Sequence, residues 1–147
     1  MYITTQQKAL IEVSPTLEVP RTFRAFAALM AQVLTKLKVR ASSGSQTLLS
    51  VIKNPVTDHL PIGCKIIGTS TKASLKPIKE YVQQFSPEGT NQWSKPIAYV
   101  IGAVSVGNPG MDNDYVQESI CIASCGLSAA CVCAKLCNAY EEHWRIV

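Results

Sequence analysis

Apolar residues recur along this chain with two different periods, and the changes from one to the other mark out its elements. Tyr2-Ile3-Thr4-Thr5 and Ala9-Leu10-Ile11-Glu12-Val13 have the β-branched and aromatic make-up of short strands, with Gln6-Gln7-Lys8 between them, so a hairpin is expected. Ser14-Pro15 and Val19-Pro20 break that pattern. Phe23, Phe26, Ala27, Met30, Val33, Leu34 and Leu37 then recur at steps of three and four, which predicts an amphipathic helix with an apolar stripe to bury. Further on, the pattern predicts a short helix over Gln46–Ile52 and a buried strand from Cys64 to Ile67, ending at Gly68-Thr69-Ser70. A second helix is expected over Leu75–Phe85, with Ile78, Val82 and Phe85 on one face, and a surface loop over Ser86–Lys95. Pro96 to Ala103 has the continuous apolar character of a central parallel strand buried on both faces. Gly107–Asn113 reads as a turn-rich loop and Leu127–His143 as a closing helix. Strands alternating with helices argue for an α/β fold, and 147 residues suit a single domain, 1–147.

Between the first helix and the first α/β strand lies a stretch that element building does not require. Val51-Ile-Lys-Asn-Pro-Val-Thr-Asp-His-Leu-Pro61 brackets Asp58 and His59 between two prolines. Asn54 precedes Pro55 and Leu60 precedes Pro61, and each proline biases the residue before it away from the helical region. The pair is therefore expected on a constrained loop, the kind of segment that carries function. An acid/base pair and a loop hydrogen bond both fit these residues.

Charge changes the picture only when it is located. Residues 1–40 hold Lys8, Arg21, Arg24, Lys36, Lys38 and Arg40 against Glu12 and Glu18, and residues 41–147 are formally neutral. The whole excess of +4 thus lies in the first quarter, where it is suited to phosphate or to a solvated helix face. Arg21 and Arg24 stand at the start of the predicted helix, the end whose dipole favours anions. The chain as a whole is poor in charge, 16% against roughly 25% on average, which hints at a surface covered by a partner. Ser119–Ala134 is uncharged for 16 residues, short of the ~20 that span a bilayer, and is expected as a buried helix rather than a membrane segment. Met1 is not followed by a charged region and an apolar core, so no secretory signal is expected. Five of the six cysteines, Cys121, Cys125, Cys131, Cys133 and Cys137, lack the paired knuckle spacing of zinc sites and are expected as small buried hydrophobes; no metal is expected. His143 is expected at a solvated helix end.

Open α/β sheets bind ligands beyond the carboxyl ends of their strands. Two expected strand ends carry small residues there, Gly68-Thr69-Ser70 and Gly102-Ala103 continuing to Gly107. Glycine lets a ligand approach the backbone closely, which suits a nucleoside-like cofactor, although the spacing matches neither a dinucleotide fingerprint nor a phosphate loop.

The ordered set Ile11-Glu12-Val13-Ser14-Pro15, Pro20-Arg21-Thr22-Phe23, Leu29-Met30 with Leu34 and Lys36-Leu37, the loop Val51–Pro61, Gly68-Thr69-Ser70, Val100-Ile101-Gly102-Ala103, Leu127-Ser128-Ala129 and Glu141-Glu142-His143-Trp144 resembles the Nep/Emg-type ribosome-biogenesis methyltransferases of the SPOUT superfamily. The resemblance is collinear over nearly the whole chain. It implies a SPOUT-type α/β knot, a trefoil-knotted and mostly parallel sheet with flanking helices, lacking the first strands of the family fold. It also implies S-adenosyl-L-methionine as cofactor and methylation of N1 of a pseudouridine in small-subunit ribosomal RNA. By the same resemblance the cofactor lies among Gly68, Thr69 and Ser70; Gly102, Ala103 and Gly107; and Ile122, Ala123, Ser124, Cys125, Gly126 and Leu127. Arg21, Arg24 and Lys53 are the RNA-facing residues it implies, with Asp58 and His59 fixing the turn beside Lys53. No catalytic residue is assigned. The implied partners are small-subunit rRNA, ribosome assembly factors and a second copy of the chain, with no membrane, and the implied location is the nucleus and nucleolus. The chain departs from the family pattern at Glu18 and Ala25, where arginines are usual, and at Ala123-Ser124-Cys125-Gly126, where a tyrosine and a proline are usual. An RNA-binding assembly factor that keeps the fold without the chemistry is therefore the alternative reading.

Overall fold

The chain divides into two units, Met1–His59 and Leu60–Val147, and the computed structural model describes residues 1–42, 44–85, 95–104 and 106–146. In the first unit the alternating segments form the expected hairpin, β1 (Tyr2–Thr4) antiparallel to β2 (Leu10–Val13). Its turn closes through Thr5: the Lys8 amide donates to the Thr5 carbonyl at 2.9 Å, the Ala9 amide to Thr5 Oγ1 at 3.0 Å, and Lys8 takes φ 60°. The predicted helix is α1 (Phe23–Lys36), capped by Thr22, whose hydroxyl accepts the Ala25 amide at 3.3 Å, and stopped by Leu37 in the left-handed conformation. Two strands follow, β3 (Lys38–Arg40) and β4 (Thr47–Ile52), giving the antiparallel order β1-β2-β4-β3.

β4 replaces the short helix expected over residues 46–52. Leu49 and Val51 face the same side of the strand, and both join Ile11, Val13, Val33 and Val39 in the core of this unit. Burial in a sheet between β2 and β3 overrides a short apolar run that could have served either element. Only Val33 of α1 is fully buried, while Phe23, Leu34 and Leu37 of the predicted stripe are exposed. The proline-bracketed loop contains one 3-10 turn, Val56–His59. The His59 ring donates through Nε2 to the Lys53 carbonyl at 2.8 Å, Tyr2 donates its hydroxyl to the His59 carbonyl at 3.1 Å, and Asn54 Nδ2 donates to the Lys8 carbonyl at 2.7 Å. The His59 ring is thus engaged by backbone and ties the loop, while Asp58 contributes its backbone amide, which donates to the Pro55 carbonyl at 3.3 Å.

The second unit is a three-stranded parallel sheet with helices α2 (Ile78–Val82) and α3 (Ala129–Trp144). Its central strand is β5 (Lys65–Leu75), flanked by β6 (Ile97–Val100) and β7 (Glu118–Cys121). The strand expected from Pro96 is therefore an edge strand here, half-buried along its length. The predicted strand end at Gly68-Thr69-Ser70 is the middle of β5. There the ladder to β7 is interrupted: Thr69 and Ser74 both pair with Ile120, so Ser70–Ala73 leave the sheet and return to it. Gly68 and Gly110 meet backbone to backbone, so that a Cβ on Gly68 would overlap the Gly110 carbonyl.

Three further expectations change. The uncharged run from Ser119 holds β7 and the loop after it before α3 begins, rather than one buried helix. α3 is capped by Ser128, whose hydroxyl accepts the Cys131 amide at 3.2 Å. Its buried side is Leu136, Ala139 and His143, so His143 is buried, whereas Cys125, Cys133 and Cys137 are exposed and Cys131 is half-buried. The second helix is shorter than predicted because β5 continues to Leu75. The loop expected over 86–95 lies outside the described residues except for Lys95. No helix among the described residues is long and apolar enough to cross a membrane.

Candidate cofactor cleft

At the carboxyl ends of β6 and β7, where β5 is interrupted, three segments surround a cleft of about 410 Å³. This is where an α/β sheet presents loops to a ligand. Each segment is fixed by its own hydrogen bonds. Thr69 donates its hydroxyl to the Val100 carbonyl at 3.1 Å, tying the interruption of β5 to the end of β6. Ser70 Oγ accepts the Lys72 amide at 3.1 Å and Asn108 Nδ2 at 2.8 Å, which joins that excursion to the loop after β6. The second loop is held from within by the Asn108 amide donating to Asp112 Oδ2 at 2.9 Å and by Asn113 Nδ2 donating to the Pro109 carbonyl at 2.6 Å. Ser119 of β7 donates to the Gly110 carbonyl at 2.7 Å, so the same loop is also pinned to the sheet.

Of the twelve positions implied for the cofactor, the structure brings eight to this cleft. Thr69 and Ser70 line it from β5, Gly102 and Gly107 from the loop after β6, and Ile122, Ala123, Cys125 and Leu127 from the loop after β7. Gly68, Ala103, Ser124 and Gly126 do not line it. Gly68 is instead consumed by the contact with Gly110. Gly107 takes φ 98°, a conformation that other residues rarely adopt, and a Cβ on Gly102 would come within 3.3 Å of Pro109. The candidate RNA residues Arg21, Arg24 and Lys53 lie in the first unit, and all three are exposed.

Sequence reasoning missed several lining residues, among them Thr71, Lys72, Asn108 and Asp112. Thr71 and Lys72 follow the implied segment directly, but only the interrupted pairing of β5 turns them toward the cleft. Asn108-Pro109-Gly110 was visible as a turn signal, not as a wall.

The titratable groups with displaced pKa values lie outside this lining. Burial raises Tyr99, whose hydroxyl shares a 2.6 Å hydrogen bond with Tyr140, and burial raises Tyr81 and Tyr140 as well. Glu118 is held below the usual carboxylate range, chiefly by its 2.6 Å contact with the Lys65 ammonium. These groups sit on β5, β6, β7, α2 and α3 and support the sheet. Among the described residues no cluster of three or more His, Cys, Asp or Glu is placed to hold a metal ion.

The fold and the cleft define an α/β protein with a cleft of small-molecule size at the carboxyl edge of its parallel sheet. A model of the EMG1/NEP1 methyltransferase family matches residues 1–141, and the chain belongs to that family. Among its relatives, the human ribosomal RNA small subunit methyltransferase NEP1 is 44% identical over 147 residues, which is 100% of this chain and 56% of the human protein. The Drosophila melanogaster protein of the same name is 40% identical over 147 residues, covering 100% of this chain and 58% of that one. The chain thus spans somewhat more than half the length of these two relatives. The crystal structure of Archaeoglobus fulgidus Nep1 bound to S-adenosylhomocysteine matches with a TM-score of 0.76 at 17% identity, over 99% of this chain and 62% of that one. That likeness is one of fold, and it agrees with the α/β class; the expected parallel sheet is met in the second unit, while the four strands of the first pair antiparallel because short connections join β1 to β2 and β3 to β4.

Proposed function

We propose that this chain is the cofactor-binding part of an S-adenosyl-L-methionine-dependent rRNA methyltransferase that modifies N1 of a pseudouridine in small-subunit ribosomal RNA. The observation that carries the reading is the cleft: three loops, two of them beyond the ends of parallel strands and one from the break in the central strand, converge on one small-molecule-sized space. The fit to the methyl donor is physical. The volume of about 410 Å³ lies within the range of roughly 300–1,000 Å³ usual for small-molecule sites. Gly102 and Gly107 expose backbone amides and carbonyls without side chains in the way, suited to a base edge and a ribose, and Ile101, Ile122 and Leu127 give an apolar wall.

When bound, S-adenosylmethionine supplies an electrophilic sulfonium methyl for transfer to a ring nitrogen. Transfer would break the sulfur–methyl bond, leave S-adenosylhomocysteine and release the N1 proton to solvent or a base; the residues of this chain would hold the donor for that transfer, so positioning accounts for most of their contribution. The target base has to leave its stack to reach the cleft. Arg21, Arg24 and Lys53 are the cations proposed for the RNA backbone, and all are exposed. The two units are proposed to act as one methyltransferase domain, as a homodimer, with ribosome assembly factors, in the nucleolus. These points rest on the family and on the low overall charge of the chain.

Calorimetry with S-adenosylhomocysteine tests the cofactor reading: binding is expected, and Gly102→Phe, which places a ring against Pro109, should abolish it. The replacement of the usual tyrosine and proline by Ala123-Ser124-Cys125-Gly126 favours a second reading, an assembly factor that binds RNA without chemistry. No heat of cofactor binding together with salt-sensitive RNA binding would select that second reading. RNA affinity unchanged in Arg21→Ala would remove Arg21 from the interface.

A further inference from the structure

Two charged side chains of opposite sign line the cleft, Lys72 and Asp112, and among the described residues neither forms an ion pair. They are held on linked segments. Ser70 Oγ takes the Lys72 amide at 3.1 Å and the side chain of Asn108 at 2.8 Å, and the Asn108 amide donates to Asp112 Oδ2 at 2.9 Å. The Asp112 amide donates in turn to the Asn108 carbonyl at 2.9 Å, which closes a small ring and fixes where the carboxylate starts. One carboxylate oxygen is spent on Asn108, and the other has no partner among the described residues. A lysine and an aspartate that share a cleft without pairing present separated charges to a ligand, and such an arrangement complements a molecule carrying both signs.

The amino-acid end of the methyl donor carries one carboxylate and one ammonium. We propose that Lys72 receives the α-carboxylate and Asp112 the α-ammonium of the bound cofactor, so that the break in β5 and the Asn108–Asp112 turn together read its amino-acid end. This assignment rests on the cofactor reading above and adds to it two specificity residues. It also gives the excursion of Ser70–Ala73 from the sheet a role, since an uninterrupted strand would keep Lys72 in the ladder with β7. Both side chains are exposed at the cleft mouth, so each contact acts through partly screened charge.

The test compares two neutral thioethers on the 147-residue chain: S-adenosylhomocysteine, which has the amino-acid end, and 5′-methylthioadenosine, which has the same adenosine and sulfur without it. Lys72→Met keeps the aliphatic stem, and Asp112→Asn keeps an oxygen for the Asn108 amide. By calorimetry each variant should raise the Kd for S-adenosylhomocysteine about ten-fold and leave that for methylthioadenosine within about two-fold. Equal losses for both ligands in Asp112→Asn would give that residue to the ribose and overturn its half of the assignment. Unchanged affinity for S-adenosylhomocysteine in Lys72→Met, with the unsubstituted chain binding it, would overturn the assignment of Lys72 and leave the cofactor reading standing. If the unsubstituted chain binds neither thioether, the cofactor reading fails and the pair fails with it.

Discussion

The two units build their sheets by different routes, and the candidate cofactor cleft lies where the route of the second leaves room for it. The first is an antiparallel sheet with a tight hairpin and one helix between β2 and β3, and among the described residues its ladder is regular except for a bulge at Val39 and Arg40. The second is a parallel sheet whose central strand is broken, so that one turn of backbone leaves the ladder and two further loops gather beside it. Antiparallel pairing needs only local turns, whereas parallel pairing forces long connections across the sheet ends. Those connections are the material from which a cleft can be made. The first unit contributes exposed cations, and the second contributes a shaped space.

The contrast is sharpest at Gly68, where the second unit depends on backbone touching backbone. Adding a methyl there would overlap the Gly110 carbonyl, and neither side is a flexible side chain able to move aside. Gly68→Ala should therefore destabilise the second unit by about 3 kcal/mol or more, read by urea unfolding. Hydrogen exchange should place the loss in β5 and in the loop at Gly110. A loss spread equally over β1, β2 and β4 would show that the two units unfold together and would remove the contrast.

Legibility follows the same division. The hairpin and α1 were visible because period and punctuation agree over several residues. Thr47–Ile52 was misread because six residues with four apolar side chains fit a helix turn or a strand, and only pairing with β2 and β3 decides between them. β7 was hidden inside an uncharged run whose composition does not mark the change from strand to loop to helix. The three loops of the cleft could be located as segments through the resemblance, yet Lys72 and Asp112 could not, because Lys72 depends on how far β5 departs from its ladder and Asp112 on the turn that Asn108 closes. Gly68 teaches the same lesson in reverse. A glycine at an expected strand end suggests ligand access, and here it serves a neighbouring backbone.

The first unit has its own dependence, on side chains rather than on glycine. Val33 is the one fully buried residue of α1 and packs with Ile11, Val13, Val39 and Leu49. Val33→Ala should cost about 2 kcal/mol from lost burial and the cavity left behind, measured by the urea midpoint. S-adenosylhomocysteine binding should be unaffected at temperatures where the variant is folded. Caps compare the two units on equal terms. Thr22→Ala and Ser128→Ala each remove a hydroxyl that accepts an amide in the first turn of a long helix, and each should cost about 1 kcal/mol. A much smaller effect for Ser128 than for Thr22 would mean that α3 is held by packing at Leu136, Ala139 and His143 more than by its own end.

The smallest expected effect is electrostatic and belongs to the second unit. Glu118 of β7 meets Lys65 of β5 at 2.6 Å, and the Lys65 contact holds its carboxyl below the ordinary value. The unfolded chain therefore binds this proton more readily than the folded chain does. The contribution is fully present above the unfolded carboxyl pKa of about 4.3 and is lost as pH falls through the lower folded value. With the two side chains about a third exposed, 35% and 34%, solvent screens the pair, and about 0.5 kcal/mol is the expected scale. In urea titrations the stability difference between the unsubstituted chain and Glu118→Gln should be largest near neutral pH and shrink toward zero under acid. A difference that stays constant down to pH values below the folded pKa would assign the effect of Glu118 to packing between β5 and β7. The Lys65–Glu118 pair would then act in the parallel sheet as a packing contact rather than as a charge pair.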